Sequence, residues 1–424
     1  MSRRIRLTGL LSLLALVACA ALACGASAVV LELPEGRLGY QPPRGQATPH
    51  SKQKSAASKT LTYHQGPVMT SNTNYPLFWA PAGEAAYPAG YISGIDRWFT
   101  DLAHDSGGLL NTDSVLNQYG DKEGGFADYD SHFGGAQIDT DPYPPSGCKR
   151  AAICLTKEQL KSEIQSYVEA HALPADLAHE YFVLTPPGVS TCFEPEGHQC
   201  SQETGEKFFK YCAYHSFFHV GGATYIWADN PYIDSPLCVA ESPNESPSDY
   251  AISGGLAHEH SESVTDPEIT GWYNEKEEEV ADKCQSPNPE KELGARLGTA
   301  PDGAPYNQLI NGDEYLYQQM WSNERAACVQ RAALPPSVKK VTPRKGPSTG
   351  GTHVTVTGSG FLGTVTVYFG ASQATEVKVT SGEALTAVSP PGTEEQAITV
   401  HTSAGASPPS KKTSFKYKPP KKSK

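Results

Sequence analysis

The chain has 424 residues, 38% of them hydrophobic and 19% charged, with a formal net charge of −12. That length allows two or three domains, and the acid excess argues against nucleic acid as a partner. The charge is uneven: residues 335–424 carry 12 Lys and Arg against 4 Glu, a net +8, which leaves −20 for the remainder.

Residues 1–28 have the form of an export signal. Arg3, Arg4 and Arg6 are the charged start, Leu10 to Ala23 the apolar stretch, and Ala26-Ser27-Ala28 a small-x-small cleavage site. The rival is a lipobox, Leu16-Val17-Ala18-Cys19, which would leave the protein lipid-anchored at Cys19. Cleavage after Ala28 leaves eight of the ten cysteines, an even set suited to disulfides in an oxidising compartment. Soluble secretion is therefore the expectation, and no later segment is apolar enough to be a transmembrane segment. Residues 29–60 are rich in Pro, Gly, Gln, Ser and Lys and are expected to be a disordered linker.

The folded body begins at Leu61. LTYHQGPVMT and YPLFWAP predict two strands around a turn at Ser71 to Asn74. Ile92, Ile95, Trp98, Phe99 and Leu102 recur at helical spacing within 89–104, and Leu160, Ile164 and Val168 do so within 160–172. YFVLT (Tyr181 to Thr185) and ATYIWA (Ala223 to Ala228) have the composition of buried strands, and Ala257 to Val264 is a third helix. Tyr315 to Trp321 is a terminal strand or short helix. Alternation of strands and helices predicts an α/β body over 61–332. Beyond Leu334-Pro335-Pro336 the texture is all-β. Alternating Val and Thr broken by Gly and Pro predicts a small antiparallel sandwich over 335–418, followed by a basic tail, 419–424.

Metal-ligand chemistry is densest between Gly254 and Cys284. On a helix His258 and Glu262 stand at i and i+4 on one face, with Glu259 about 100° round the axis. HExxH zinc hydrolases use this layout, with the Glu after the first His as general base on a metal-bound water. Here the motif is HExxE, and carboxylates can ligate zinc or harder divalent ions. The helix stops at Asp266-Pro267, since proline disfavours helical geometry at the residue before it. Asp266 and Asp282 are equal candidates for the third ligand, with Glu279 behind them. His215 is expected to be an ordinary loop histidine, and His260 points off the ligand face. With water on the metal, Glu259 would accept its proton, which implies peptide hydrolysis. The competing readings are a structural ion or a solvated acidic face. Trp272 and Tyr273 are expected in the core. Proximity favours a Cys148–Cys154 bridge; Cys192, Cys200, Cys212 and Cys238 stay unassigned.

Two resemblances follow. Residues Val341-Thr342-Pro343, Gly346-Pro347, GGTHVTVTGSGF (Gly350 to Phe361), VYFG (Val367 to Gly370), SPPG (Ser389 to Gly392) and FKYK (Phe415 to Lys418) resemble the IPT/TIG family. That likeness implies an immunoglobulin-like module used for binding or spacing. Residues 61–328 resemble the phosphate-induced, or EXORDIUM-like, family. The likeness lies in YHQGPVMT, YPLFW, VLNQYG, YFVLTPPGV, CAYH, TYIWADN, AHEHSESVTDPEITGWY and EVADKC. It implies an extracellular protein linked to cell walls and a Cys284–Cys328 bridge.

The combined expectation is a secreted chain with a zincin-like α/β (α+β) body and an immunoglobulin-like sandwich. In function it is a zinc-dependent peptidase, with Glu259 catalytic and His258, Glu262, Asp266 and Asp282 as ligand candidates. The alternative is a non-catalytic protein that binds an extracellular protein or a cell-wall polymer.

Overall fold

One mixed sheet of strands widely separated in sequence organises the body. The computed structural model describes residues 29–33, 36–44, 60–201, 210–238, 246–363, 365–402 and 404–419. The export signal with Cys19, most of the expected linker and all but the first residue of the basic tail lie outside the described residues. The elements that place the site, in chain order, are β1 (Val29–Leu33), β2 (Gly36–Gln41), β3 (Asn72–Trp79), α1 (Tyr91–His104), β4 (Ser131–Phe133) and β5 (Gln137–Asp139). They continue with α2 (Lys157–Ala170), β6 (His179–Thr185), β7 (Ala213–Val220), β8 (Ala223–Pro231) and α3 (Ala257–Thr265). The sheet order is β1-β2-β7-β8-β6-β3-β4, with β5 also paired to β3. Pairings among β8, β6, β3, β4 and β5 are parallel, and those among β1, β2, β7 and β8 are antiparallel.

Strand alternation divides the core between the two faces of this sheet. Tyr181 and Val183 of β6 pack with Leu160, Ile164 and Val168 of α2. Phe182 and Leu184 between them pack with Ile95, Trp98, Phe99 and Leu102 of α1, and with Ala257 at the start of α3. Helix α2 opens on a capping box, with Thr156 and Gln159 each satisfying the other's backbone amide.

Four expectations need correction. The body is mostly β with few helices, rather than an alternating α/β domain: among the described residues only α1, α2 and α3 are α-helices longer than five residues. Val29–Leu33 and Gly36–Gln41 are no linker; they pair as the β1–β2 hairpin, whose inner strand pairs with β7 and buries Leu38 and Tyr40. Averaged over 29–60 the composition is that of a disordered segment, but GRLGYQ alternates locally and meets an open sheet edge. Ser71 to Asn74 is not a turn. Asn72–Asn74 open β3, and the Asn74 side chain donates to Asn72 Oδ1 and Ser131 Oγ at 2.9 and 3.0 Å, so buried amides have partners inside the sheet. Residues 315–321 are neither one strand nor a helix, but the end of Asp313–Tyr315 and the start of Met320–Ser322.

Residues 335–418 fold as two facing sheets. One contains Ser337–Thr342, His353–Ser359, Thr375–Ser381 and Ala384–Val388; the other is led by Thr366–Phe369, Glu395–Thr402 and Ser414–Lys418. Val354, Val356, Val367, Phe369, Leu385, Ile398, Val400 and Phe415 fill the space between them.

Disulfides join Cys148–Cys154, Cys192–Cys200, Cys212–Cys238 and Cys284–Cys328. The last spans 44 residues of sequence and ties the segment after α3 to the end of the body. By chain entropy a loop of that length is worth about 4 kcal/mol. The Cys284→Ser/Cys328→Ser variant is expected to lose stability of that order in denaturant unfolding, whereas a loss under about 1 kcal/mol would show the loop already ordered in the unfolded chain.

Candidate metal centre

Helix α3 has the sequence AHEHSESVT, and every residue of it is buried. A helix polar on most faces normally faces water; here each polar group must find a partner inside the protein. A π-helical turn, Ile252–Leu256, delivers the chain to it. A Cβ on Gly255 would come within 2.5 Å of Ala213 Cβ, so the missing side chain lets the helix start close against β7. The helix ends at Asp266, whose Oδ1 accepts the Thr270 and Gly271 amides and turns the chain back.

His258, Glu262 and Asp282 converge. His258 Nε2 lies 3.0 Å from Asp282 Oδ1 and 3.2 Å from Glu262 Oε1, and the three donor atoms fall within 4.8 Å of one another. The Asp282 amide donates to Glu262 Oε1 at 3.1 Å, and the Glu279 amide to Asp282 Oδ2 at 2.9 Å, so the backbone holds both carboxylates in place. Asp266 does not join this set; the turn consumes one of its oxygens.

Gln318, which the sequence did not single out, fixes the tautomer of His258. Gln318 Nε2 donates to the Ala281 carbonyl at 2.8 Å, so its Oε1, 3.0 Å from His258 Nδ1, accepts the proton there. His258 Nε2 therefore faces two carboxylate oxygens. A lone pair in that position is repelled unless a positive charge lies between, either a proton or a metal cation. The residues fit a divalent ion: imidazole plus carboxylates suits zinc, manganese or iron.

His215 was expected in a loop. It lies on β7, fully buried, with Nδ1 3.0 Å from Glu259 Oε2 and Nε2 3.6 Å from Glu279 Oε1. Its sequence neighbours CAYH gave no sign of its partners, because Glu259 lies 44 residues further on, in a helix that packs directly against β7. The two-residue alternation that puts His215 on the same face as Ala213 was the available signal. Glu259 thus turns toward His215. His260 forms a separate group, with Nε2 3.2 Å from Asp113 Oδ1 and Nδ1 3.2 Å from Glu180 Oε2. Trp272 and Tyr273 are half-buried rather than core: Trp272 Nε1 donates to the Gly120 carbonyl, and Tyr273 stacks on His64 at 3.6 Å.

The electrostatics follow from burial. Desolvation depresses His258, but Glu262 and Asp282 outweigh it and hold its imidazole well above the ordinary histidine value. Desolvation raises Glu262, yet His258 and His215 bring it below the usual carboxylate value. Burial, then neighbouring carboxylates, push Glu259, Glu279 and Asp282 well up. His215 is pushed down to about 4 by burial. Without a cation, protons neutralise the cluster; a bound divalent ion would reverse that.

Access is limited. His215, Glu259, Glu262 and Glu279 show no exposure, and His258 and Asp282 only 1–2%. Gly39 of β2 lies directly over His215 and Glu279, where any Cβ would overlap them. A surface cleft of about 350 Å³ nearby is lined by Tyr63, His64, Gly66, Lys122, Glu268 and Thr270, among others, and by no member of the cluster.

With this geometry in place, the chain can be set against known proteins. The IPT/TIG domain family matches over residues 336–417. This C-terminal sandwich is an IPT/TIG domain. None of the curated proteins matches the chain, and the comparisons bring no support for the likeness of residues 61–328 to the phosphate-induced family. Among solved structures, a Bacteroides thetaiotaomicron protein of unknown function is 24% identical with a TM-score of 0.18, covering 20% of this chain and 22% of its own. SGBP-B from a Bacteroides uniformis xyloglucan utilization locus is 28% identical at 0.17, covering 20% and 24%. The TIG domain of human nuclear factor of activated T-cells, cytoplasmic 4, is 22% identical at 0.17, covering 20% and 89%. The chain thus spans about a quarter or less of the two Bacteroides proteins. Among the described residues, no helix is long and apolar enough to cross a membrane.

The His260 group yields a pH test. Burial lowers His260, but Asp113 and Glu180 more than offset it and raise its imidazole to about 9. A raised histidine stabilises fully below its unfolded value near 6.5 and loses that contribution as pH rises through 9. Wild type is expected to lose about 2 kcal/mol more than His260→Gln between pH 7 and 9.5. Parallel stability curves for the two proteins would show His260 to be neutral in the folded state.

Proposed function

We propose that the chain is an exported, non-catalytic binding protein. Its acidic body is braced by a buried divalent-cation site and disulfides, and its IPT/TIG domain presents a basic surface to an extracellular protein or wall polymer. The observation that carries this reading is the sealing of the cluster. Structural metal sites are closed, whereas catalytic ones keep a position open to water and substrate. His258, Glu262 and Asp282 are buried, Gly39 of the β1–β2 hairpin lies over the adjoining His215 and Glu279, and Glu259, the would-be general base, is taken up by His215. The zincin-like peptidase reading needs the opposite at both points. Export is supported by the four disulfides, which suit an oxidising compartment, together with the signal-like start of the sequence.

In this reading His258, Glu262 and Asp282 hold the ion, Gln318 orients the imidazole, and the ion supplies the positive charge the buried carboxylates require. Metal binding is then part of folding stability.

The test is metal analysis, thermal unfolding and a peptidase assay on the purified mature protein. A bound divalent metal is expected, with chelation lowering Tm by about 5–10 °C, equivalent to about 3 kcal/mol for a body of this size. His258→Ala is expected to lose metal, and no cleavage of casein or a quenched peptide library should occur. Hydrolysis that disappears in Glu259→Gln would overturn the non-catalytic reading; absence of metal in the wild type would overturn the cation site.

A further inference from the structure

We propose that the cluster holds two divalent cations, with the Glu262 carboxylate bridging them. The inference rests on the metal-site reading above and adds a second ion of the same chemical class, held by His215 and Glu259.

The two oxygens of Glu262 serve different imidazoles. Oε1 is 3.2 Å from His258 Nε2, while Oε2 is 3.9 Å from His215 Nδ1. His215 Nδ1 is also 3.0 Å from Glu259 Oε2. The donors of His215, Glu259 and Glu262 fall within 4.8 Å of one another, as do those of His258, Glu262 and Asp282. Each set offers one imidazole nitrogen and two carboxylates, and the sets share only Glu262. A carboxylate with its oxygens divided in this way is the usual bridge between paired metal ions.

A second observation points into the new half of the site. Glu259 Oε1, Glu262 Oε2 and both oxygens of Glu279 are buried without a hydrogen-bond partner. Buried carboxylate oxygens are rarely left so. Glu279 Oε1 faces His215 Nε2 at 3.6 Å, too long for a hydrogen bond, so that buried nitrogen is also without a partner, whereas Gln318 holds the first imidazole at 3.0 Å. Each imidazole has one nitrogen directed at a donor set, His258 through Nε2 and His215 through Nδ1.

Charge supports the same count. Glu259, Glu262, Glu279 and Asp282 are all at most 2% exposed and bring up to four negative charges into a dry interior; Asp266, equally buried beside Glu279, has Arg37 as its counter-charge. With neutral imidazoles, one divalent ion leaves two of those charges unmatched; two ions leave none. Unmatched buried charge is expensive.

The experiment is metal stoichiometry on the full mature chain, loaded with Zn²⁺ or Mn²⁺, dialysed and measured by elemental mass spectrometry. Near-UV circular dichroism reports the fold of each variant. The wild type is expected to bind about two ions per chain, and the Mn²⁺ form to give an exchange-coupled electron paramagnetic resonance spectrum. His215→Ala and the near-isosteric Glu259→Gln should each fall to about one ion with the coupling lost, and Glu262→Gln should weaken both. One ion per chain, lost in His258→Ala but unaffected by Glu259→Gln, would overturn the second ion and leave the single-ion reading standing. No ion in the wild type would overturn both.

Discussion

A polar helix held entirely inside the protein is the constraint from which the rest of the body follows. Helix α3 places two histidines and two glutamates within five residues, and none of them reaches water. Burying such groups costs several kcal/mol each unless they are matched. Its surroundings supply that matching. β7 supplies His215, β6 supplies Glu180, the loop after α3 supplies Glu279 and Asp282, and the chain near the end of the body supplies Gln318. The π-helical turn before the helix and the Asp266 turn after it set its position against the sheet. The β1–β2 hairpin then closes the remaining side, with a glycine where no side chain would fit.

The same constraint separates the two imidazole groups. His260 sits between two carboxylates, Asp113 and Glu180, and makes a conventional buried ion pair. His258 and His215 share a larger excess of carboxylates, and their neighbours include oxygens without partners. Protonation can satisfy the first arrangement. The second has more negative charge than its histidines can neutralise, which is why it points to a cation.

The two parts of the chain divide the electrostatics. The body holds the acid excess and turns part of it inward. The IPT/TIG domain carries the opposite sign and has a conventional apolar core between two sheets.

Much of this was legible locally. Helical spacing marked α1 and α2, because apolar period and buried face coincide there; α3 was marked by its ligand chemistry, with i, i+4 placement putting His258 and Glu262 on one face. Val–Thr alternation and the glycine-bearing turns marked the sandwich. Other features were not local. Asp266 and Asp282 looked equivalent until the turn took one and the chain reversal delivered the other. His215, Gln318 and the β1–β2 hairpin act through partners tens to hundreds of residues away, and their neighbouring residues carry no trace of those partners. By itself the sequence determined helices α1 and α2, the histidine- and glutamate-rich helix, several buried strands and the sandwich, because periodicity and side-chain chemistry are properties of short stretches. Only the tertiary structure decided which carboxylates converge, which histidine faces them and whether water can enter, because burial and distance exist only once the chain has closed on itself.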